Sequence, residues 1–481
     1  MQKLTRNEKI KITERAKTIL IVLLACSCLA SGYYVFDMYR DLDAVRSFWQ
    51  SSDPVTAFDG GQATPASQNA LRSFLELSEP ELILVNKGDA RGEIPTDDDA
   101  FSEISELVNT AVKEAYSRPE SEIVVTDMDE WKASVATDSM YVRYAGVRST
   151  SFEGEFYKAP QNALASVVDV YNEVSIVPNA KNGQLTLYLP DKDYKNIVKM
   201  KFTTAVAEKL DSVIKNRPGI SSKSYVFAFE IGLDTRPEND GKLAPMLAIP
   251  TTEKSIRNIV AEVPRVYKTG LNFIKTTDFT MGLIEIFGYN QNTVRQYVNS
   301  EDVLIFVGET GTLSVYPEGY IEYRALGTNE GVALESQSGA GVYGATAGLI
   351  NMIDRINAVS GVLPELNDGK LRIAALPVMD GQTSAIRVEF DYYVDDCRVN
   401  FLNSPAITAI INDGVLTELK MQIKTVKKTE NDTHMTALLD EIDEFVGKNP
   451  QTKLIDYAKT TYKFSQSGDE LSVEWDIRKG N

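Results

Sequence analysis

Residues 18–36 read TILIVLLACSCLASGYYVF, nineteen consecutive positions without Asp, Glu, Lys or Arg. No other feature constrains the chain as tightly. As a helix rising about 1.5 Å per residue the run spans roughly 28 Å, close to the hydrocarbon thickness of a bilayer. Ahead of it stand Lys3, Arg6, Lys9, Lys11, Arg15 and Lys17 against Glu8 and Glu14, while Asp37, Arg40, Asp41 and Asp43 follow it. The basic excess on one side predicts that residues 1–17 are cytoplasmic and that everything after Phe36 is outside. No second run of this kind occurs downstream, so the expectation is a single-pass membrane protein.

Two other readings stand beside the uncleaved anchor. Ala30 is a small residue suited to precede signal-peptide cleavage, and Leu23-Leu24-Ala25-Cys26 resembles a lipidation box at Cys26. Against both, the apolar run continues through Tyr33, Tyr34, Val35 and Phe36. Beyond it Tyr39, Leu42, Val45 and Phe48 recur every three residues, as in a helix leaving the membrane as an amphipathic stalk. Within the span, Cys26 with Ala30, Ser27 with Ser31 and Cys28 with Gly32 form small-xxx-small pairs, which let helices approach closely in lipid. These six residues are the candidate partner-helix contact.

The net charge is −18, from 50 basic and 68 acidic residues. The N-terminal tail carries six basic and two acidic residues, a net +4, which leaves −22 on the remainder. This balance argues against nucleic acid as a partner, since its phosphates demand a basic face. Two of the three cysteines lie in the span, so Cys397 has no intramolecular disulfide partner outside. A large external body without disulfides and with a single histidine suits a Gram-positive surface.

The external part reads as α+β. Residues 51–67 are a polar tether. ELILV (81–85), a helix over 97–116 opened by a capping box from Thr96 to Asp99, EIVVT (122–126) and MYVRYA (140–145) form a first unit. QLTLYLP (184–190), NIVKMKF (196–202), a helix over 203–216, SYVFAFEIG (224–232) as a strand, and three strands within 303–326 form a second. In the third, AIRVEFDYY alternates Ile386, Val388, Phe390 and Tyr392 against Arg387, Glu389 and Asp391. AITAII and VLTELKMQIKTV flank Asn412-Asp413-Gly414, a hairpin signal, and an apolar-striped helix and the strand LSVEWDI close the chain. The expected organisation is a tail (1–17), a span (18–36), stalk and tether (37–67), and two or three external domains. These divide as 68–180, 181–335 and 336–481, with antiparallel sheets carrying helices on one face.

The external part carries several partial matches to catalytic and binding motifs. Gly339-x-Gly341-x-x-Gly344 has the spacing of a dinucleotide cradle, but no buried strand leads into it and no acidic partner follows on a second strand. It reads as a hinge before a helix that buries Leu349, Ile353 and Ile356. Ser212-Val-Ile-Lys215 and Lys268-Thr269-Gly270 match serine acyl-transferase motifs, without the intervening S-x-N and too close together. His434 lies in ENDTHMT, read as a polar loop. Cys397 has acidic neighbours that would raise its pKa, and so is inert. Asp97-Asp98-Asp99 lacks the Gly and Glu of a calcium loop and suits a helix N-terminus. No catalytic residue, cofactor or metal is expected, and the chain is not expected to be an enzyme.

The stretch LIEIFGYNQNTVRQYVNSEDVLIFVGETGTLSVYPEGYIEYRAL (283–326) resembles the central region of the YycH family. Phe287, Val294-Arg295 and Gly319-Tyr320-Ile321-Glu322-Tyr323 occupy the places of that family's helix-end turn, Val-Arg dipeptide and closing strand pattern. ALPVMDG…VEFDYY and AITAIINDGVLTELKMQIK resemble its C-terminal hairpin unit. The resemblance implies an accessory protein of a cell-wall two-component system in low-GC Gram-positive bacteria, acting on a membrane sensor kinase beside a YycI-like sister protein. Transmembrane helix contacts would set kinase activity. The alternative is an external module that binds a wall fragment or peptide, with the helix as a passive tether.

Overall fold

The computed structural model describes residues 77–479, with breaks at 160, 235–242, 265, 267–276, 328–329, 335–341, 363–366, 376–384, 402–404, 450–454 and 464–469. The expected tail, span and stalk lie outside the described residues. Among the described residues, no helix is long and apolar enough to cross a membrane.

The first part of the body comprises β1 (Pro80–Lys87), β2 (Ala90–Glu93), α1 (Phe101–Tyr116), β3 (Ile123–Thr126), α2 (Met128–Ser134), β4 (Ser139–Ser149), α3 (Thr150–Phe156), β5 (Val170–Asn179), β6 (Gln184–Pro190), β7 (Ile197–Thr203) and α4 (Val206–Asn216). The strands form one antiparallel sheet in the order β2-β1-β4-β5-β6-β7-β3. Alternation along β1 and β4 gives the sheet two apolar faces. Ile83, Val85, Met140 and Val142 join the main core with Ile104 and Val108 of α1 and Leu210 and Ile214 of α4. Leu82, Leu84 and Tyr141 instead pack with Trp131 of α2, whose indole N–H donates to Ser175 Oγ at 2.8 Å. Thus α1 and α4 share one face, as the amphipathic spacing predicts, and the short α2 covers the other.

A two-stranded ladder, β8 (Tyr225–Phe227) with β9 (Ala248–Pro250), and then β10 (Ser255–Glu262) lead to the second part. There follow α5 (Thr277–Ile286), β11 (Arg295–Val298), β12 (Leu304–Val307), β13 (Gly311–Tyr316), β14 (Tyr320–Ala325), β15 (Val332–Ala333), α6 (Val342–Ser360), β16 (Lys370–Ala375), β17 (Ala385–Val394), β18 (Cys397–Asn400), β19 (Ile407–Asn412), β20 (Val415–Gln422), β21 (Thr425–His434), α7 (Leu438–Lys448), β22 (Ile455–Lys463), β23 (Glu470–Leu471) and β24 (Val473–Lys479). An antiparallel row runs β11-β12-β13-β14-β20-β19-β17-β16. From β17 the strand β18 turns back, takes β22 in parallel and reaches β24. A small third sheet has β10 between β21 and β23. The two large sheets touch where Val147 of β4 bridges Ala375 of β16. The architecture is α+β and predominantly antiparallel.

Three local expectations change. SYVFAFEIG is not one strand: β8 stops at Phe227 and Ala228–Ile231 forms a 3-10 turn. Glu230 causes this, because its carboxylate accepts the Phe227 N–H at 2.8 Å and also binds Arg91. The first helix begins at Phe101 with Ala100 at the cap, so the box from Thr96 to Asp99 is not made. Asp98 accepts from the Ala100 N–H at 2.9 Å instead. Finally, His434 ends a strand, since β21 pairs with β10 as far as Ser255↔His434.

Candidate functional site

The six small residues of the span, Cys26, Ser27, Cys28, Ala30, Ser31 and Gly32, lie outside the described residues, as do Gly339, Gly341 and the Lys268-Thr269-Gly270 motif. Gly344 sits within α6, where Leu349, Ile353 and Ile356 are buried as their spacing predicts. Ser212 and Lys215 are exposed on α4. Lys215 pairs with Asp211 at 2.7 Å and Ser212 Oγ accepts from Asn216 at 3.0 Å, so neither is arranged to activate the other. His434 is exposed with Nε2 3.0 Å from Glu253 Oε2. Cys397 is buried with Sγ 3.0 Å from Thr460 Oγ1, and burial, seconded by Asp396, pushes its thiol up to about 12.

The charged groups that the fold gathers are different ones. Where the two large sheets meet, Glu81 of β1, Arg143 of β4, Glu173 of β5 and Lys459 of β22 converge. Glu81 and Glu173 are 1% exposed and Arg143 5%. Arg143 Nε lies 3.4 Å from Glu81 Oε1 and its Nη1 3.9 Å from Glu173 Oε1. Lys459 Nζ lies 3.7 Å from Glu81 Oε2 and donates to the Glu81 carbonyl at 2.9 Å. Burial opposes the charge on Arg143, but Glu173, Tyr141 and Glu81 outweigh it and hold the guanidinium charged. The Tyr457 ring takes two guanidiniums, Arg143 at 5.3 Å and Arg478 at 4.7 Å from its centroid.

The seam continues into the second sheet. Asp391 of β17 pairs with Arg398 of β18 at 2.7 Å, and Arg398 Nη1 lies 3.8 Å from Asp476 of β24. Burial raises both carboxyls, Asp476 to about 6 despite Arg398. The alternating pattern assigns Asp391 to a solvent face, yet it is buried, because β17 is covered on both sides from Phe390 onward. Across the irregular stretch of β4 between Arg143 and Arg148 lies a second buried centre. Arg148 binds Glu153, whose other oxygen accepts from Tyr116 at 2.7 Å and from Tyr171. The two centres flank the Val147–Ala375 contact, so the irregularity that joins the sheets is held by charge on either side.

This arrangement is closed. Its charged groups pair with one another across the strands of both sheets, and removing one partner would leave a buried charge uncompensated. A cleft of about 460 Å³ opens at the end of α1, lined by Tyr116, Arg118, Gln161 and Asn162 among others. The Asn162 amide there is already committed, donating to Ala159 O and accepting from the Ala165 N–H. The sequence signal for the seam is a charge inside an otherwise apolar strand, as in ELILV, MYVRYA and VEFDYY.

No family model matches this chain, and no curated protein matches it significantly. Among solved structures, that of YycH from Bacillus subtilis matches with a TM-score of 0.53 and 13% sequence identity, covering 84% of this chain and 95% of that one. At that identity the likeness concerns the fold: this protein has a YycH-like fold.

Proposed function

We propose that this protein is a membrane-anchored extracytoplasmic regulator that modulates a sensor histidine kinase of a cell-wall two-component system through transmembrane helix contacts. The observation that carries the reading is the YycH-like fold over 84% of the chain, on a sequence that also offers one uncharged nineteen-residue span. The span would contact the kinase and a YycI-like sister protein through the face bearing Cys26, Ala30, Ser27, Ser31, Cys28 and Gly32. The body would act without turnover, bound outside the membrane. In physical terms the protein shifts a population: contacts that differ between two arrangements of the kinase helices bias one of them.

Replacing residues 18–36 with an unrelated span of equal length, in cells carrying a kinase-dependent reporter, tests this. The reading predicts that reporter output moves to the level of the deletion strain while the protein stays anchored. Unchanged output would refute helix contact and leave a tethered external module.

A further inference from the structure

The seven-stranded sheet ends differently on its two sides. At one end β2 is covered, since Arg91 N donates to Ser222 O at 3.1 Å and Ser224 N to Arg91 O at 2.9 Å. At the other end β3 pairs with β7, and among the described residues no strand pairs with its outer side. That edge presents Ile123-Val124-Val125-Thr126, in which Val124 is 55% and Val125 57% exposed. Adjacent strand residues point to opposite faces, so apolar surface lies exposed on both sides of one edge. Strand edges are ordinarily protected by Lys, Pro or a bulge. On the far edge of the second sheet, β11 opens with exposed Arg295 and Gln296 ahead of an exposed Tyr297. β3 has no Lys, Pro or bulge.

Charge identifies what would cover the edge. Glu120 and Glu122 precede β3, and Asp127 and Asp129 follow it, all exposed or half-exposed. The cation across the ladder from Val124, Lys199, is already held by Glu130. A second copy pairing antiparallel about Val125 would set acidic ends against acidic ends, which disfavours it. A segment with basic flanks meets the opposite charge at both ends.

We propose that the outer edge of β3 is a strand-addition site for an extended segment of a partner protein, with a short β-branched core flanked by Lys or Arg. Backbone groups of β3 that point away from β7 would pair with the segment, as in other modes of recognition by an added strand. Val124 and Val125 would cover its apolar side chains on the two faces, and the carboxylates would set its register. The inference stands on the external body and does not depend on the kinase reading.

The test uses the full chain in lipid nanodiscs and a fluorescent peptide, KKVTVTVKK, with EEVTVTVEE and a backbone N-methylated KKVTVTVKK as controls. The lysine peptide should bind at least about tenfold more tightly than either control, and tightness should fall with added salt. Val124→Lys with Val125→Lys should remove binding without shifting the thermal melt. If that variant unfolds, hydrogen exchange on the unaltered chain replaces it, with slowing expected at 123–126 when peptide is added. The proposal is overturned by absence of binding at about 1 mM peptide, the weak end of specific recognition. Equal binding of either control, or a Val125→Cys chain that crosslinks to a second copy through β3, also overturns it.

Discussion

At the scale of single residues, the seam between the sheets is where charge and burial conflict most. Glu81 faces Arg143 and Lys459 in a closed space, and the balance depends on all three. Asp476 has a measurable consequence. Burial raises its carboxyl to about 6 from 3.8, so the folded state holds the proton more tightly than the unfolded state does. Stability from this group is therefore fully present below the unfolded value and is lost as pH rises through about 6. Thermal melts at about pH 5 and pH 7 should show the unaltered protein gaining on Asp476→Asn at the lower pH, by on the order of 1 kcal/mol after solvent screening. A constant gap between the two proteins would contradict the assignment. Such residues were only half legible. A lone Arg143 in MYVRYA is visible, but its partners Glu81 and Glu173 lie on other strands far off in sequence, and only the fold brings them together.

At the scale of elements, hairpins and helices were the most legible features. Asn412-Asp413-Gly414 forms the turn between β19 and β20, with Asp413 at φ 49° and Gly414 at φ 79°, as a tight hairpin requires. The apolar stripe of α4 and the alternation of β13 and β14 also transfer directly into burial. What failed was set by side chains from elsewhere: Glu230, drawn to Arg91, curls 228–231 out of the strand that its apolar composition predicts. Helix contact between α5 and α6 supplies a test. A Cβ on Gly282 would lie 2.6 Å from Val359 Cγ1, closer than packed atoms approach. Gly282→Ala should destabilise the fold by about 1–3 kcal/mol in urea unfolding, despite alanine's better helix propensity. No loss would mean that the two helices are not in tight contact.

At the scale of the whole molecule, fold class was readable and topology was not. Short strands with frequent turn signals give α+β, but no pattern indicates that β18 takes β22 in parallel, or that β10 pairs with β21 some 170 residues later. Those pairings depend on loop closure and on burial shared between distant segments. The regulatory reading rests on this overall likeness and on the uncharged span. The most direct measurement is the autophosphorylation rate of a cell-wall sensor kinase from the same organism in proteoliposomes, alone, with the full chain, and with residues 64–481 added to the same face. The full chain is predicted to change the rate by about fivefold or more, the lower range of allosteric coupling, and the anchorless body to leave it unchanged. An unaltered rate with the full chain, or the same change from the body alone, would contradict the account.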